Sequence, residues 1–316
     1  MSTNPPLVIA SQLGNSFNQA LRTEFPQAAV HAVGRGVPQD LPADTKVLVA
    51  LPMWAQVQSP VPAGWPHALQ WVQLAAVGVD GYPDWLLRGT PVSAARGTAS
   101  LLVAEYALAA IFAAAKDFPG LWIRDAAQWQ LRPTGSVSGA TLGLYGWGSI
   151  AQLLAQRALA LGMRVLALRR SDAPLGLPGV QRAADLQELL RASDHLVLAA
   201  PATPDTRKVI DRAALLQARP GLHLVNVARG SLVDQAALLE SLDAGRLSRA
   251  TLDVTDPEPL PAGHALYQHP KVFLSPHTSA ISPDSEQALL RLLLRNLARW
   301  QRGEALEHAL DLARGY

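Results

Sequence analysis

The chain has 316 residues, 49% apolar and 16% charged, enough material for about two hydrophobic cores and the opposite of a disordered composition. Lys+Arg (27) and Asp+Glu (25) nearly cancel to a formal charge of +2 with no basic run, which excludes nucleic acid as an expected partner. Cysteine is absent, so disulfides, thiol nucleophiles and Cys-ligated metal sites fall away together and no metal is expected.

The opening residues, MSTNPPLVIASQLG, lack the basic region and long apolar stretch of a secretion signal, and no segment approaches the roughly 18 apolar residues of a membrane span. Cytoplasm is the expected location, with no membrane partner. Strands are predicted at 7–10, 47–51 and 71–76, separated by Pro, Gly and Asp clusters, and suggest a smaller α/β unit. Met53 and Trp54 follow one of these strands; core packing is the first reading for apolar residues there, a substrate wall the second. From residue 99, ASLLVAEYALAAIFAAAKDF predicts a long buried helix near a domain boundary. Glu105 within it reads as a buried acid held by a structural hydrogen bond. A second series of strands follows at 141–145, 164–168, 195–199, 223–227, 250–254 and 272–274, apolar enough for burial on both faces. Ser282 as N-cap, Pro283 at the first helical position and acidic Asp284 and Glu286 then predict a helix to about Trp300 that returns to the first domain. The expected fold class is α/β, with two parallel-sheet domains and a cleft between them.

Within the second series, TLGLYGWGSIAQLLAQRALALGMRVLALRR reads as strand, glycine turn, helix, glycine stop and strand. Gly146 permits the tight turn, Gly148 lets backbone approach a pyrophosphate, and Ala151 takes the packing position. Ser149 and Ile150 open the helix, whose N-terminus receives phosphate; Ile150, Leu153, Leu154, Ala158 and Leu161 share one side, and Gly162 ends it. At the end of the second strand an NAD-preferring chain carries Asp or Glu for the ribose hydroxyls. Here stand Arg169, Arg170 and Ser171, whose guanidinium forks suit a 2′-phosphate. NADP(H) is therefore the expected cofactor and NAD(H) the alternative.

From these residues, and from LVNVARGSLVDQAALLESLDAGRLSRATLDVTDPEPLP (224–261), LSPHTSA (274–280) and AAPATPDTRKVI (199–210), the chain resembles the D-isomer-specific 2-hydroxyacid dehydrogenase family, particularly its glyoxylate/hydroxypyruvate reductase branch. The resemblance implies a substrate domain, flavodoxin-like, over 1–98 plus 283–316 and a Rossmann domain over 99–282 that binds the dinucleotide, in a chain that is usually a homodimer. It implies Arg229 as the substrate-binding arginine, Glu258 as the acidic partner and His277 as general acid/base. It places Val77 and Gly78 as backbone donors to the substrate carboxylate and Asp253 toward the nicotinamide carboxamide. Ala200, Pro201, Thr206, Val227 and Ala228 line the cofactor groove, which Arg229 and His277 also border. Ser149 departs from a position often basic, and Thr278-Ser279 from a commoner Ile-Gly.

The residues agree chemically. Reducing a 2-keto acid needs a cation for the carboxylate, a hydride donor and an acid for the oxygen. Arg229 after one predicted strand, Glu258 after the next and His277 after a third can supply the fork, the anion that favours imidazolium, and the proton. The expected function is reduction of a small 2-keto acid to its D-2-hydroxy acid. The alternative is a dinucleotide-sensing interaction protein of corepressor type, since fold alone does not prove turnover.

Overall fold

The structure, a computed structural model, describes residues 6–311; the five outermost positions at each end of the expected substrate domain lie outside the described residues. The chain forms two compact units, Met1–Ala99 with Ser282–Tyr316, and Ser100–Ile281.

The first unit is built on five parallel strands, β1 (Leu7–Ser11), β2 (Ala28–Ala32), β3 (Val47–Ala50), β4 (Trp71–Leu74) and β5 (Val92–Ser93), in the order β2-β1-β3-β4-β5. That is the flavodoxin-like doubly wound order. Alternate residues of the sheet feed two cores. Ile9, Val47 and Val49 meet Phe17 and Leu21 of helix Asn15–Glu24 and Leu289, Leu293 and Leu297 of helix Ser285–Gln301; Leu48, Val72 and Leu74 meet Leu86 and Leu87 behind them. A buried amide clasp secures the last helix: Asn296 donates to Gln73 Oε1 (3.2 Å) and accepts from the Glu307 N–H (2.7 Å). This helix starts at Ser285 with Asp284 at the N-cap position, two residues later than the sequence suggests. The Ser282 hydroxyl accepts from Asp284 N (3.2 Å) in a local turn, which removes it from capping the helix.

The second unit carries seven parallel strands, β6 (Thr141–Tyr145), β7 (Arg164–Leu168), β8 (Val180–Arg182), β9 (His195–Leu198), β10 (Leu222–Asn226), β11 (Leu247–Leu252) and β12 (Val272–Leu274). Their order, β12-β11-β10-β9-β6-β7-β8, is the Rossmann winding extended by one strand, and its direction reverses between β6 and β9. Because all pairings are parallel, every loop that leaves a strand end emerges at one edge. One face of the sheet is covered by helix Ser100–Lys116 packed on helix Ser149–Ala160, both rich in alanine and therefore able to approach closely. The buried stripe of the second helix is Ala151, Leu154, Ala155 and Ala158, while Ile150, Leu153 and Leu161 lie at its margin. The expected stripe was turned toward the bulkier side chains; the small ones face inward because the neighbouring helix sits against them. Glu105 likewise faces outward and is exposed, not buried as its Ala/Leu surroundings suggested.

Candidate active site

Gly146 opens the turn after β6 with φ +103°, and a Cβ there would meet the Ala199 and Ala200 backbone at 2.8 Å. Glycine is required on both counts. Gly148 differs: it has ordinary φ, and a Cβ would meet nothing within 4 Å. The backbone thus faces open space at the N-terminus of helix Ser149–Ala160, beside the switch point, where unpaired N–H groups and the helix dipole favour an anion. A dinucleotide pyrophosphate fits this turn. The Ser149 hydroxyl is shared with Ser100 Oγ (2.7 Å), tying the helix start to the long helix.

After β7, Arg169 is half-buried and Arg170 and Ser171 are exposed. Arg169 Nη1 donates to the carbonyls of Ala173 (3.3 Å) and Pro174 (3.0 Å). Arg182, on the edge strand β8, reaches the same loop, donating to Ser171 O (3.0 Å) and to Ala173 O. Trp147 Nε1 closes it by donating to Leu175 O (2.8 Å). Two guanidinium groups therefore share the Ala173 carbonyl, an arrangement of like charges that an anion would relieve. Arg182 escaped the sequence reading because an exposed three-residue strand has no apolar pattern to mark it.

After β9, Ala200 is buried and Pro201 exposed. Thr206 folds the 201–206 loop, its hydroxyl donating to Pro201 O (2.8 Å) and accepting from Thr203 N (2.8 Å). After β10, Val227 and Ala228 are buried, and Asn226 pins the turn by accepting from Ala228 N (3.0 Å) and donating to Arg229 O (2.9 Å). The Arg229 guanidinium donates back to Ala228 O (2.7 Å). At the next position a Cβ on Gly230 would lie 1.9 Å from the Thr255 carbonyl carbon, so only glycine lets the Arg229 turn lie on the loop that carries Glu258.

That loop and the one after β12 meet directly. His277 Nδ1 lies 2.6 Å from Glu258 Oε1, with the side chains 32% and 40% exposed. A carboxylate accepts only, so Nδ1 carries the proton of this bond and Nε2 is the nitrogen left to exchange one. His277 has φ +49°, a left-handed backbone uncommon for a non-glycine residue and informative at a functional site. It is held there by Asp253, 1% exposed, whose carbonyl accepts from His277 N (2.8 Å) and whose carboxylate accepts from Thr278 N (2.9 Å) and Ser279 N (3.0 Å). Asp253 thus anchors the histidine loop.

In the first unit, Val77 is exposed and Gly78 half-buried in the loop after β4. Met53 is core at 3% exposure, whereas Trp54 is 56% exposed with its ring against Gly81.

A parallel sheet wound in this order, with its glycine turn open to a pyrophosphate and an imidazole–carboxylate pair on the same edge, defines a nicotinamide-dependent oxidoreductase. Comparison with known proteins narrows the class. Residues 108–279 match the family described as "D-isomer specific 2-hydroxyacid dehydrogenase, NAD binding domain", and the chain belongs to that family. It is 29% identical over 315 residues to glyoxylate/hydroxypyruvate reductase A of Serratia proteamaculans, covering 94% of each chain. It is 37% identical over 169 residues to glyoxylate reductase of Pyrococcus furiosus, a match to 52% of this chain and 49% of that relative. The chain thus spans about half the length of that archaeal relative. A D-isomer specific 2-hydroxyacid dehydrogenase from Xanthobacter autotrophicus Py2, solved in complex with NADPH and MES, superposes with a TM-score of 0.84 at 25% identity, covering 99% of this chain and 100% of that one. Among the described residues no helix is long and apolar enough to cross a membrane.

Proposed function

We infer that the chain reduces a small 2-keto acid of the glyoxylate or hydroxypyruvate kind to its D-2-hydroxy acid, with NADPH preferred over NADH. The observation that carries the reading is the 2.6 Å bond between His277 and Glu258 on the edge where the sheet's strand-end loops converge. A bound nicotinamide supplies the hydride. Glu258 orients the imidazole through Nδ1, so Nε2 gives a proton to the carbonyl oxygen in reduction and takes one from the hydroxyl in reverse. Reduction consumes a proton, so lower pH favours that direction. Arg229 offers its fork to the substrate carboxylate, and Val77 and Gly78 stand in this reading as backbone donors to a carboxylate. Gly148, Ser149 and Ile150 receive the pyrophosphate, the 200–206 and 227–228 turns line the groove, and Asp253 borders the nicotinamide amide.

The NADPH preference is supported by Arg169 and Arg170 directly after β7, where an NAD-preferring chain carries an acid, and by Arg182, which reaches the same loop from β8. The names of the relatives, reductases and dehydrogenases, support turnover over a sensing role without chemistry. A homodimer is supported by the apolar stretch after the long helix, where Trp122, Trp129 and Leu131 are 70%, 79% and 101% exposed. The test is absorbance-monitored oxidation of NADPH and NADH with glyoxylate, hydroxypyruvate and bulkier 2-keto acids. The reading expects turnover with one of the small acids and a higher kcat/KM with NADPH; no oxidation with any acid would refute it.

A further inference from the structure

We propose that Tyr106 and Ser275 are positioning residues that hold the His277 loop through Asp253, and so govern proton transfer without touching the reacting atoms. This rests on the reading of His277 as the proton donor.

Four bonds to Asp253 fix the loop. Its carbonyl accepts from His277 N, and its carboxylate accepts from Thr278 N, Ser279 N and, at 2.5 Å, from Ser275 Oγ. The left-handed His277 is therefore bracketed by contacts to one buried residue, just past the end of the neighbouring strand. Thr278 N and Ser275 Oγ converge on the same oxygen, Oδ1, so the hydroxyl and the amide share one anchor.

The chain of bonds has a determined direction. Ser275 has a single hydroxyl proton, and the carboxylate that faces it can only accept, so Ser275 donates to Asp253. Its oxygen must then accept from the phenol of Tyr106, 2.6 Å away. Burial raises the Tyr106 pKa, the bond to Ser275 partly opposing it and Asp253 adding to it, and the phenol stays in the donor form this requires. Hydrogen bonds aligned in series polarise one another. Tyr106 belongs to helix Ser100–Lys116, which is packed against helix Ser149–Ala160. The far end of the relay is thus a rigid element, and its near end is the loop that aims the imidazole.

Four variants test the relay: Tyr106→Phe, Ser275→Ala, Ser275→Thr and the double Tyr106→Phe/Ser275→Ala, with His277→Ala as control. Each is assayed with NADPH and glyoxylate or hydroxypyruvate and by amide hydrogen exchange of the 275–280 segment. Loss of aim costs rate more than binding, so kcat should fall roughly 10- to 100-fold in Tyr106→Phe and Ser275→Ala while KM for NADPH stays within about twofold. Ser275→Thr, which keeps the hydroxyl, should restore kcat. The double variant should be no slower than Ser275→Ala, because the two groups act as one unit. Exchange at 277–279 should accelerate in both single variants. Near-normal kcat in Ser275→Ala, failure of Ser275→Thr to rescue, multiplying losses in the double variant, or unchanged exchange would each overturn the relay. Near-normal turnover in His277→Ala would instead overturn the parent reading, and the exchange data would still decide whether the relay holds the loop.

Discussion

Arg169 and Arg182 illustrate what single residues contribute beyond their chemistry. Both guanidiniums close on the loop after β7, so the cation proposed to meet a 2′-phosphate is presented by a loop that cations also shape. Charge-assisted hydrogen bonds are worth about 1.5–3 kcal/mol each, roughly 10- to 100-fold. Replacing Arg169 and Arg170 together by alanine should therefore raise KM for NADPH by a factor of that order and leave KM for NADH nearly unchanged, read by steady-state kinetics with both cofactors. Unchanged selectivity would mean the loop does not read the phosphate. The arginines after β7 were legible because they sit at a fixed place after a recognisable strand-turn-helix. Arg182 was not, and neither were Tyr106 and Ser275, which meet across 169 positions of sequence. Local patterning carries no information about such a contact.

At the scale of elements, strands that are buried on both faces announce themselves and edge strands do not. Most predicted strands recur with ends shifted by a few residues, since near-continuous Val, Leu and Ala in short runs have no other stable home. The missed ones are β2, with a single buried residue, β5, two residues long, and β8, mostly exposed. The long helix shows the complementary limit. Its residues are apolar nearly all round, so the pattern predicts a helix and not its phase, and Glu105, expected inside, faces solvent.

Two central strands also carry a stability device. His195 on β9 and His223 on β10 face each other with their Nδ1 atoms 3.1 Å apart, and His223 Nε2 lies 2.9 Å from Thr251 Oγ1 on β11. Burial lowers the pKa of both below the ordinary 6.5; His195 and then Arg249 lower His223 further, while Asp194 opposes the shift at His195. A group whose folded pKa is depressed binds its proton more readily when unfolded, so its stabilising effect is complete above pH 6.5 and is lost as pH falls below it. The denaturant midpoint of the native chain should drop between pH 7.5 and 5. The drop should be smaller in a His195→Leu/His223→Leu variant. Parallel pH dependence in the two proteins would show that this pair does not titrate on unfolding.

For the whole molecule, the alternation of short apolar runs with helical stretches was enough to define two parallel-sheet domains, because that alternation has few other packed solutions. The strand orders were not legible, for register and crossover depend on contacts distant in sequence. Nor does the sequence show how the apolar arm after the long helix is covered. Covering by a second copy predicts a species of twice 33.7 kDa in light scattering, and Trp129→Ser with Leu131→Asp should shift it to the monomer; a monomeric native chain would remove the dimer. The proposed reaction turns on a carboxylate-paired imidazole delivering the proton at the edge where a dinucleotide is expected to bind. General acid catalysis contributes about 10²- to 10⁴-fold, so His277→Ala should lose turnover on that scale with glyoxylate or hydroxypyruvate while its NADPH Kd, measured by fluorescence titration, stays as in the native chain. Near-native turnover in that variant would contradict the account.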